Sequence, residues 1–242
     1  MTSLSVNVNK VALLRNSRDS GVPSVTWAAA VAIENGADGI TVHPRPDKRH
    51  IRRSDVHALN KLIKVELNIE GNPFEPMFLE LIRVVKPAQC TLVPDVRDQL
   101  TSDHGWDLAK QAGEVRPILE EFRSLGVRSS LFMDPEPELM AAAKAVGADR
   151  VELYTGPYAE GWKEGRREQV LKQYAAAAQA AVDVGLGVNA GHDLNRENLG
   201  PFLDAVPGIL EVSIGHALIA DALEFGLAAT VQKYVEICHA SR

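Results

Sequence analysis

The chain has 242 residues, 45% of them hydrophobic and 24% charged, the profile of a globular protein with enough apolar material for a full core. Its 26 Lys and Arg against 32 Asp and Glu leave a formal net charge of −6, which excludes generic attraction to nucleic acid or an anionic membrane and makes any basic cluster a local device. Two cysteines, Cys90 in an apolar run and Cys238 in a helix-like tail, build no disulfide framework, no cleavable signal precedes LSVNV, and no stretch approaches the ~20 apolar residues of a membrane span. A cytoplasmic protein is expected.

In chain order, short β-branched runs alternate with longer amphipathic ones. The periodicity predicts strands at 4 to 8 (LSVNV), 39 to 43 (GITVH), 65 to 70 (VELNIE), 90 to 93 (CTLV), 127 to 132 (VRSSLF), 150 to 154 (RVELY), 186 to 190 (LGVNA) and 210 to 214 (LEVSI). Helical patterns fill 24 to 35, 54 to 63, 75 to 85, 106 to 124, 136 to 146, 163 to 184, 195 to 204 and 217 to 238. Ser54 and Asn195 stand at N-cap positions, and Gly36, Gly126, Gly147 and Gly185 stand where helices stop. The phrases ENGADGI, RSLGVRSSL, AVGADRVEL and DVGLGVNA repeat one βα unit. Eight such units with no linker predict a (β/α)8 TIM barrel spanning 1 to 242 as one domain, rather than two doubly wound halves. The long helix at 163 to 184 and the irregular stretch 94 to 106 predict extra helical elaborations.

Barrel enzymes keep their active sites at the carboxyl ends of the strands. There this sequence places Asn7, Asn9 and Lys10 after strand one, His43 and Arg45 after strand two, and Glu70 after strand three. Strand six ends in Glu152 and Tyr154, strand seven in Asn189 and His192, strand eight in Gly215 and His216. A lone His43 at a strand end is most often a satisfied structural histidine, and Glu70 reads equally as a capping or salt-bridging carboxylate. Together with His192 they form an acid–base set, because imidazole near pH 7 both accepts and donates protons and a nearby carboxylate tunes it. Gly191, His192, Asp193, Gly215 and His216, following strands seven and eight, stand where such barrels hold phosphate on backbone N–H groups and a helix dipole; tight-turn glycines are the alternative. Arg45, Arg49, His50, Arg52 and Arg53 make a basic loop after strand two, which Arg15 and Arg18 could join. Without interleaved aromatics it fits one or two small phosphorylated substrates better than nucleic acid, or it is a plain surface charge run. His43, His50, His192 and Glu70 are also zinc-type ligands, but no tight HxH or HxxxH pair accompanies them and no metal is expected.

The segments VNVNKVALLRNSR, GADGITVHPRPDKRHI, LNIEG, VELYTGPYA, GLGVNAGHDL and EVSIGHALIADAL resemble the PdxJ family of pyridoxine 5′-phosphate synthases, over about residues 4 to 238. The resemblance implies ring closure between 1-deoxy-D-xylulose 5-phosphate and 3-amino-2-oxopropyl phosphate, releasing phosphate and water, with no metal or organic cofactor, in octamers of barrels. It implies that His43 and Glu70 are proton acceptors, His192 a proton donor, and Glu152 a carboxylate assisting the transition state. It further assigns Asn7, Arg18, Asp193, Gly215 and His216 to the amino ketone phosphate, and Arg45, His50 and Thr101 to the sugar phosphate. Asn9 and Lys10 stand where many members carry Asp-His, so sugar-phosphate contacts there are expected to differ. Asp193 stands where other members can have glycine. Its carboxylate would repel phosphate, so a main-chain contact is expected.

The chemistry implied needs two phosphates held at once, a base to strip carbon-bound protons and an acid to protonate departing oxygens. The stretch 93 to 106, VPDVRDQLTSDHGW, is expected to close as a lid with Thr101 at a phosphate. Two rival readings remain at this stage. A phosphosugar epimerase or aldolase would want a Schiff-base lysine, for which Lys10 is the available residue. A phospho-ligand sensor would keep the fold and lose turnover.

Overall fold

The computed structural model describes residues 1 to 95 and 101 to 240. Eight parallel strands close into a barrel in sequence order: β1 (Ser3–Asn7), β2 (Gly39–Val42), β3 (Glu66–Gly71), β4 (Gln89–Leu92), β5 (Arg128–Met133), β6 (Arg150–Leu153), β7 (Gly187–Gly191) and β8 (Ile209–Ile214). Closure is made by β8 pairing with β1, Leu4 opposite Val212 and Val6 opposite Ile214. All eight predicted strands are present, with ends moved by a single residue. The helices are α1 (Asn9–Asn16), α2 (Val25–Glu34), α3 (Arg53–Leu62), α4 (Phe78–Val85), α5 (Leu108–Leu125), α6 (Pro137–Ala145), α7 (Gly156–Lys163), α8 (Arg167–Asp183), α9 (Leu199–Ala205), α10 (His216–Phe225) and α11 (Leu227–Ala240).

The helices depart from expectation at definite places. α1 was not expected: its eight residues follow β1 directly, and Asn9 and Lys10 read as strand-end ligands. The predicted helix 163 to 184 is α8, which starts later, after a turn where Gly165 takes φ +76° behind the unpredicted α7, and 217 to 238 is two helices, broken at Gly226, φ +79°. Glycine adopts the left-handed region without the Cβ clash other residues meet, so each is a cheap hinge point. Ser54 lies inside α3. The N-cap is Arg52, whose N–H donates to the Asp55 carboxylate at 2.8 Å. Asn195 caps the turn ahead of α9, accepting from the N–H groups of Glu197 and Asn198 at 2.9 and 3.1 Å. Gly36, Gly126, Gly147 and Gly185 all have positive φ at helix ends, as read.

The apolar core lies between barrel and helices. Leu4, Val6, Ile40, Val42, Ile69, Leu131, Val151 and Ile214 are fully buried there. The other strand face, turned into the barrel, is polar. Bonds between strands that are not neighbours prove it: Gln89 on β4 donates to Glu211 on β8 at 3.2 Å, and Asn189 on β7 donates to Gln89 at 3.3 Å. Above them Ser5 and Thr41 share a 2.7 Å bond, and Thr91 donates to Asn68 at 3.2 Å. Such barrels usually fill this space with Val, Ile and Leu. The signal was legible in the alternation of Ser5 and Asn7, Thr41 and His43, Asn68 and Glu70 against apolar neighbours. Cys90 and Cys238 are both buried free thiols.

Candidate active site

One cavity of about 280 Å³ opens at the carboxyl ends of the strands, close to the ~300–1,000 Å³ usual for small-molecule sites. Thirteen of the expected site residues line it, contributed by β1, β2, β3, β6, β7 and β8, the loops after them and the connection after β4: Asn7, Asn9, Lys10, His43, Arg45, His50, Glu70, Thr101, Glu152, His192, Asp193, Gly215 and His216. Segments far apart in sequence meet because parallel strands all deliver their carboxyl ends to one rim. Arg18 is not among the lining residues and is exposed. Asn189 is not at the mouth. It is turned into the lower barrel, where Arg150 donates to its Oδ1 at 3.1 Å. Tyr154 stands beside the cavity, its ring edge-on to His192 at 6.2 Å.

The charge after β2 is mostly neutralised locally, which corrects the expected basic cluster. Arg15 is buried under the loop, paired with Asp55 and donating to the His50 carbonyl at 3.2 Å, while Asn16 donates to the same carbonyl at 2.7 Å. Arg49 pairs with Asp47, and Arg53 lies 3.6 Å from Glu80. The unpredicted α1 therefore clamps the loop, and only Arg45 and His50 reach the cavity. Burial, then Arg45 and Lys10, depress the His50 ring to about 4. Its Nδ1 accepts from the Ile51 N–H at 2.9 Å, so the neutral ring carries its proton on Nε2, a donor suited to an anion.

Asp95 was missed, although a carboxylate just past strand four fits the carboxyl-end rule. It is buried, pairs with the Arg45 guanidinium and accepts from Ser102 at 2.8 Å, and its carbonyl accepts from Asn72 at 2.8 Å. It thus holds Arg45 against the loops after β3 and β4. Of the stretch expected to act as a lid, residues 96 to 100 lie outside the described residues. Trp106 at its end is buried, its indole N–H donating to the Leu92 carbonyl at 2.8 Å.

Three titratable groups converge with pKa values pushed apart. Burial, reinforced by Arg45 and His50, holds His43 well below the usual histidine range, so it stays neutral. Its backbone is fixed by an N–H donated to Asn9 Oδ1 at 2.9 Å. Glu70 lies 3.9 Å from His43 Nδ1, too far for a hydrogen bond, and burial raises its carboxyl to about 7. His192 moves the other way from His43: burial opposes its charge, but the hydrogen bond to Asp193 and the carboxylates of Asp193 and Glu70 outweigh it and raise the ring. Its backbone sits at φ +24°, a conformation seldom held by a side-chain-bearing residue away from functional sites. Glu152 is buried inside β6, and burial followed by the Glu70 and Glu211 charges pushes it well up, favouring the neutral acid.

Across the cavity Gly215 N-caps α10, whose N-terminal turn begins with His216. A Cβ at 215 would stand 3.1 Å from the Asn7 side chain, and one at Gly191 would stand 2.1 Å from the Ser213 carbonyl oxygen. These glycines let β1, β7, β8 and the helix end close together, forming an anion-compatible corner opposite Arg45. Among the described residues, no group of three or more His, Cys, Asp and Glu is arranged to hold a metal ion, and no helix is long and apolar enough to cross a membrane.

A closed parallel barrel with acid–base groups at its carboxyl rim defines an enzyme moving protons on a small molecule. The chain belongs to the family described as "Pyridoxal phosphate biosynthesis protein PdxJ", which matches residues 4–240. It is 54% identical, over 97% of its length and 96% of the relative's, to a protein of Albidiferax ferrireducens named pyridoxine 5′-phosphate synthase. Proteins of the same name from Xylella fastidiosa (55%, covering 98% of this chain and 94% of theirs) and Xanthomonas oryzae pv. oryzae (54%, 100% and 98%) are equally similar. Among solved structures, phosphoribosylanthranilate isomerase from Thermotoga maritima aligns over 99% of this chain and 100% of its own with TM-score 0.59 and 16% identity. A tryptophan synthase chain from M. tuberculosis aligns over 98% and 93% with TM-score 0.64 and 14% identity. These two likenesses are of fold.

Proposed function

We propose that this chain is a pyridoxine 5′-phosphate synthase, condensing 3-amino-2-oxopropyl phosphate with 1-deoxy-D-xylulose 5-phosphate and releasing phosphate and water. The observation that carries the reading is the convergence of His43, Glu70 and His192 on one cavity, in a chain whose relatives bear that name along their whole length. Glu70, poised near neutrality, assists attack of the amine on the ketone and loss of water from the carbinolamine. His43, held neutral, accepts carbon-bound protons during elimination and closure. His192, whose protonated form Asp193 and Glu70 favour, gives its proton to the departing hydroxyl or phosphate oxygen. Each such group typically supplies ~10²–10⁴-fold in rate. Glu152 in its neutral form donates a hydrogen bond to developing negative charge, as a buried carboxylic acid can.

Two anion positions serve the two phosphates. The amino ketone phosphate lies at Asn7, Gly215, His216 and the N-terminus of α10, with Arg18 reaching in from outside. The sugar phosphate lies at Arg45, His50 and Thr101, with Asn9 and Lys10 adjoining. The reading extends to a cytoplasmic homo-octamer, and exposed Leu14, Trp27 and Leu223 give the outer face apolar area for self-association. The test mixes purified protein with both phosphates and follows pyridoxine 5′-phosphate and inorganic phosphate together. Ligand binding without product, under conditions where a relative turns over, would replace the enzyme by a sensor.

A further inference from the structure

His192 is held at both ring nitrogens. Its Nδ1 lies 2.8 Å from Asp193 Oδ2, and its Nε2 lies 2.7 Å from the Thr101 hydroxyl. Phe132 and Tyr154 meet the ring edge-on, at 6.4 and 6.2 Å between centroids, and limit its rotation. The Asp193 N–H is already committed to Thr155 Oγ1 at 3.2 Å, and that hydroxyl donates to the Gly191 carbonyl at 2.8 Å. The carboxylate faces the imidazole. An ionised carboxylate only accepts hydrogen bonds, so Nδ1 must be the donor in this contact.

We propose that Asp193 is a positioning residue that keeps His192 protonated on Nδ1 in both charge states, so that Nε2 alone gives up and regains the catalytic proton. The inference rests on His192 being the proton donor. In the step, the Nε2–H bond breaks as an O–H bond forms on the departing oxygen, and the bonding pair stays on Nε2. The neutral ring is left with Nδ1–H on Asp193, ready to be reprotonated at Nε2 from solvent. The arrangement follows the logic by which a buried aspartate sets the histidine tautomer in hydrolase triads.

Other charges facing this pair act in known directions. Glu70 and Asp95 raise the His192 ring, neutral His43 stands on the far side, and Lys163 and His216 face Asp193 and favour its ionised form. Of these, Asp193 alone touches the ring, so its removal should be felt as a change of tautomer and not only of charge.

The test is ¹⁵N-histidine NMR on the full chain across pH, beside kcat and KM profiles for wild type, Asp193→Asn and Asp193→Glu. In wild type the neutral His192 should show a protonated Nδ1 and a bare Nε2. An asparagine amide can donate to Nδ1, so Asp193→Asn should shift the proton toward Nε2 and lower the pH at which the ring titrates. The alkaline limb of kcat should move to lower pH, with kcat down by up to ~10²-fold, the lower end of what a whole general acid supplies, and KM little changed. Asp193→Glu should restore the limb in part. A wild-type neutral ring protonated on Nε2 would overturn the proposal, as would a folded Asp193→Asn protein with tautomer and limb both unmoved. Should Asp193→Asn fail to fold, the wild-type tautomer and the Glu variant decide. Absence of product from wild type would strike the assigned reaction, and the tautomer would still be read.

Discussion

Glu70 and the two imidazoles illustrate how one polar pocket makes three groups behave differently. His43 and His192 are the same side chain, yet burial beside Arg45 favours the neutral form of the first while Asp193, against burial, favours the charged form of the second. With Glu70 at about 7, kcat should rise with pH through neutrality as the acceptor ionises, then fall as His192 loses its proton. Replacing Glu70 by Gln should remove the acidic limb with most of the activity. The same residue has a stability signature. An unfolded glutamate ionises near the ordinary ~4.3, whereas folded Glu70 keeps its proton to about 7, so its favourable contribution is complete below the first value and is lost as pH rises through the second. Glu70→Gln should therefore match wild type at pH about 3 and exceed it at pH about 8, by up to about 4 kcal/mol in urea unfolding. An identical difference at both pH values would contradict this account.

Among the elements, β7 and its turn carry the most exacting geometry. A Cβ on Gly191 would collide with backbone of β8, and backbone cannot swing aside as a side-chain tip can. Gly191→Ala should cost about 1–3 kcal/mol by overpacking and also lower kcat, since the forced shift displaces His192. Gly126→Ala is the matching control. It ends α5 at φ +73° with nothing within 4 Å of the added atom. That change should cost roughly 1–2 kcal/mol for the left-handed backbone and leave kcat alone. Denaturation midpoints and kcat measured together separate the two effects. At this scale α1 matters as well, because its Arg15 and Asn16 hold the His50 carbonyl and so set the shape of the loop after β2.

The whole barrel divides its interior polarity between two ends. At the carboxyl end the charges are arranged for chemistry. At the amino end Glu211 is buried between Arg150 at 3.6 Å and Arg128 at 3.9 Å, and Arg128 also pairs with Glu66. Conservation of activity and of stability should therefore be separable by position. Arg150→Met should lower unfolding free energy by about 3 kcal/mol, because it strips a partner from a buried carboxylate, while kcat stays near wild type. Adding Glu211→Leu should recover part of the loss, since two apolar replacements leave no unpaired charge. A double variant weaker than the single one would show that Glu211 is held mainly by Gln89 and Arg128.

Strand count, order and ends were readable in the sequence alone, because β-branched runs and the glycines after each helix are local signals that tertiary contacts had no reason to override. The residues delivered to the rim were readable too, since strand alternation and the carboxyl-end rule need only counting. The turn at Gly165 and the helix break at Gly226 were not, because one glycine inside a helical pattern is tolerated or used as a hinge according to what packs around it. Neither were the pairings of Arg45 with Asp95, Arg15 with Asp55 and His192 with Asp193, which decide which charges are neutralised and which face the cavity. Those depend on distances between side chains from separate loops, and Coulomb and hydrogen-bond energies vary too steeply with distance and burial for composition or spacing to set them. The sequence by itself thus determined the barrel and the candidates at its mouth, and only the tertiary structure decided their charge states and their partners.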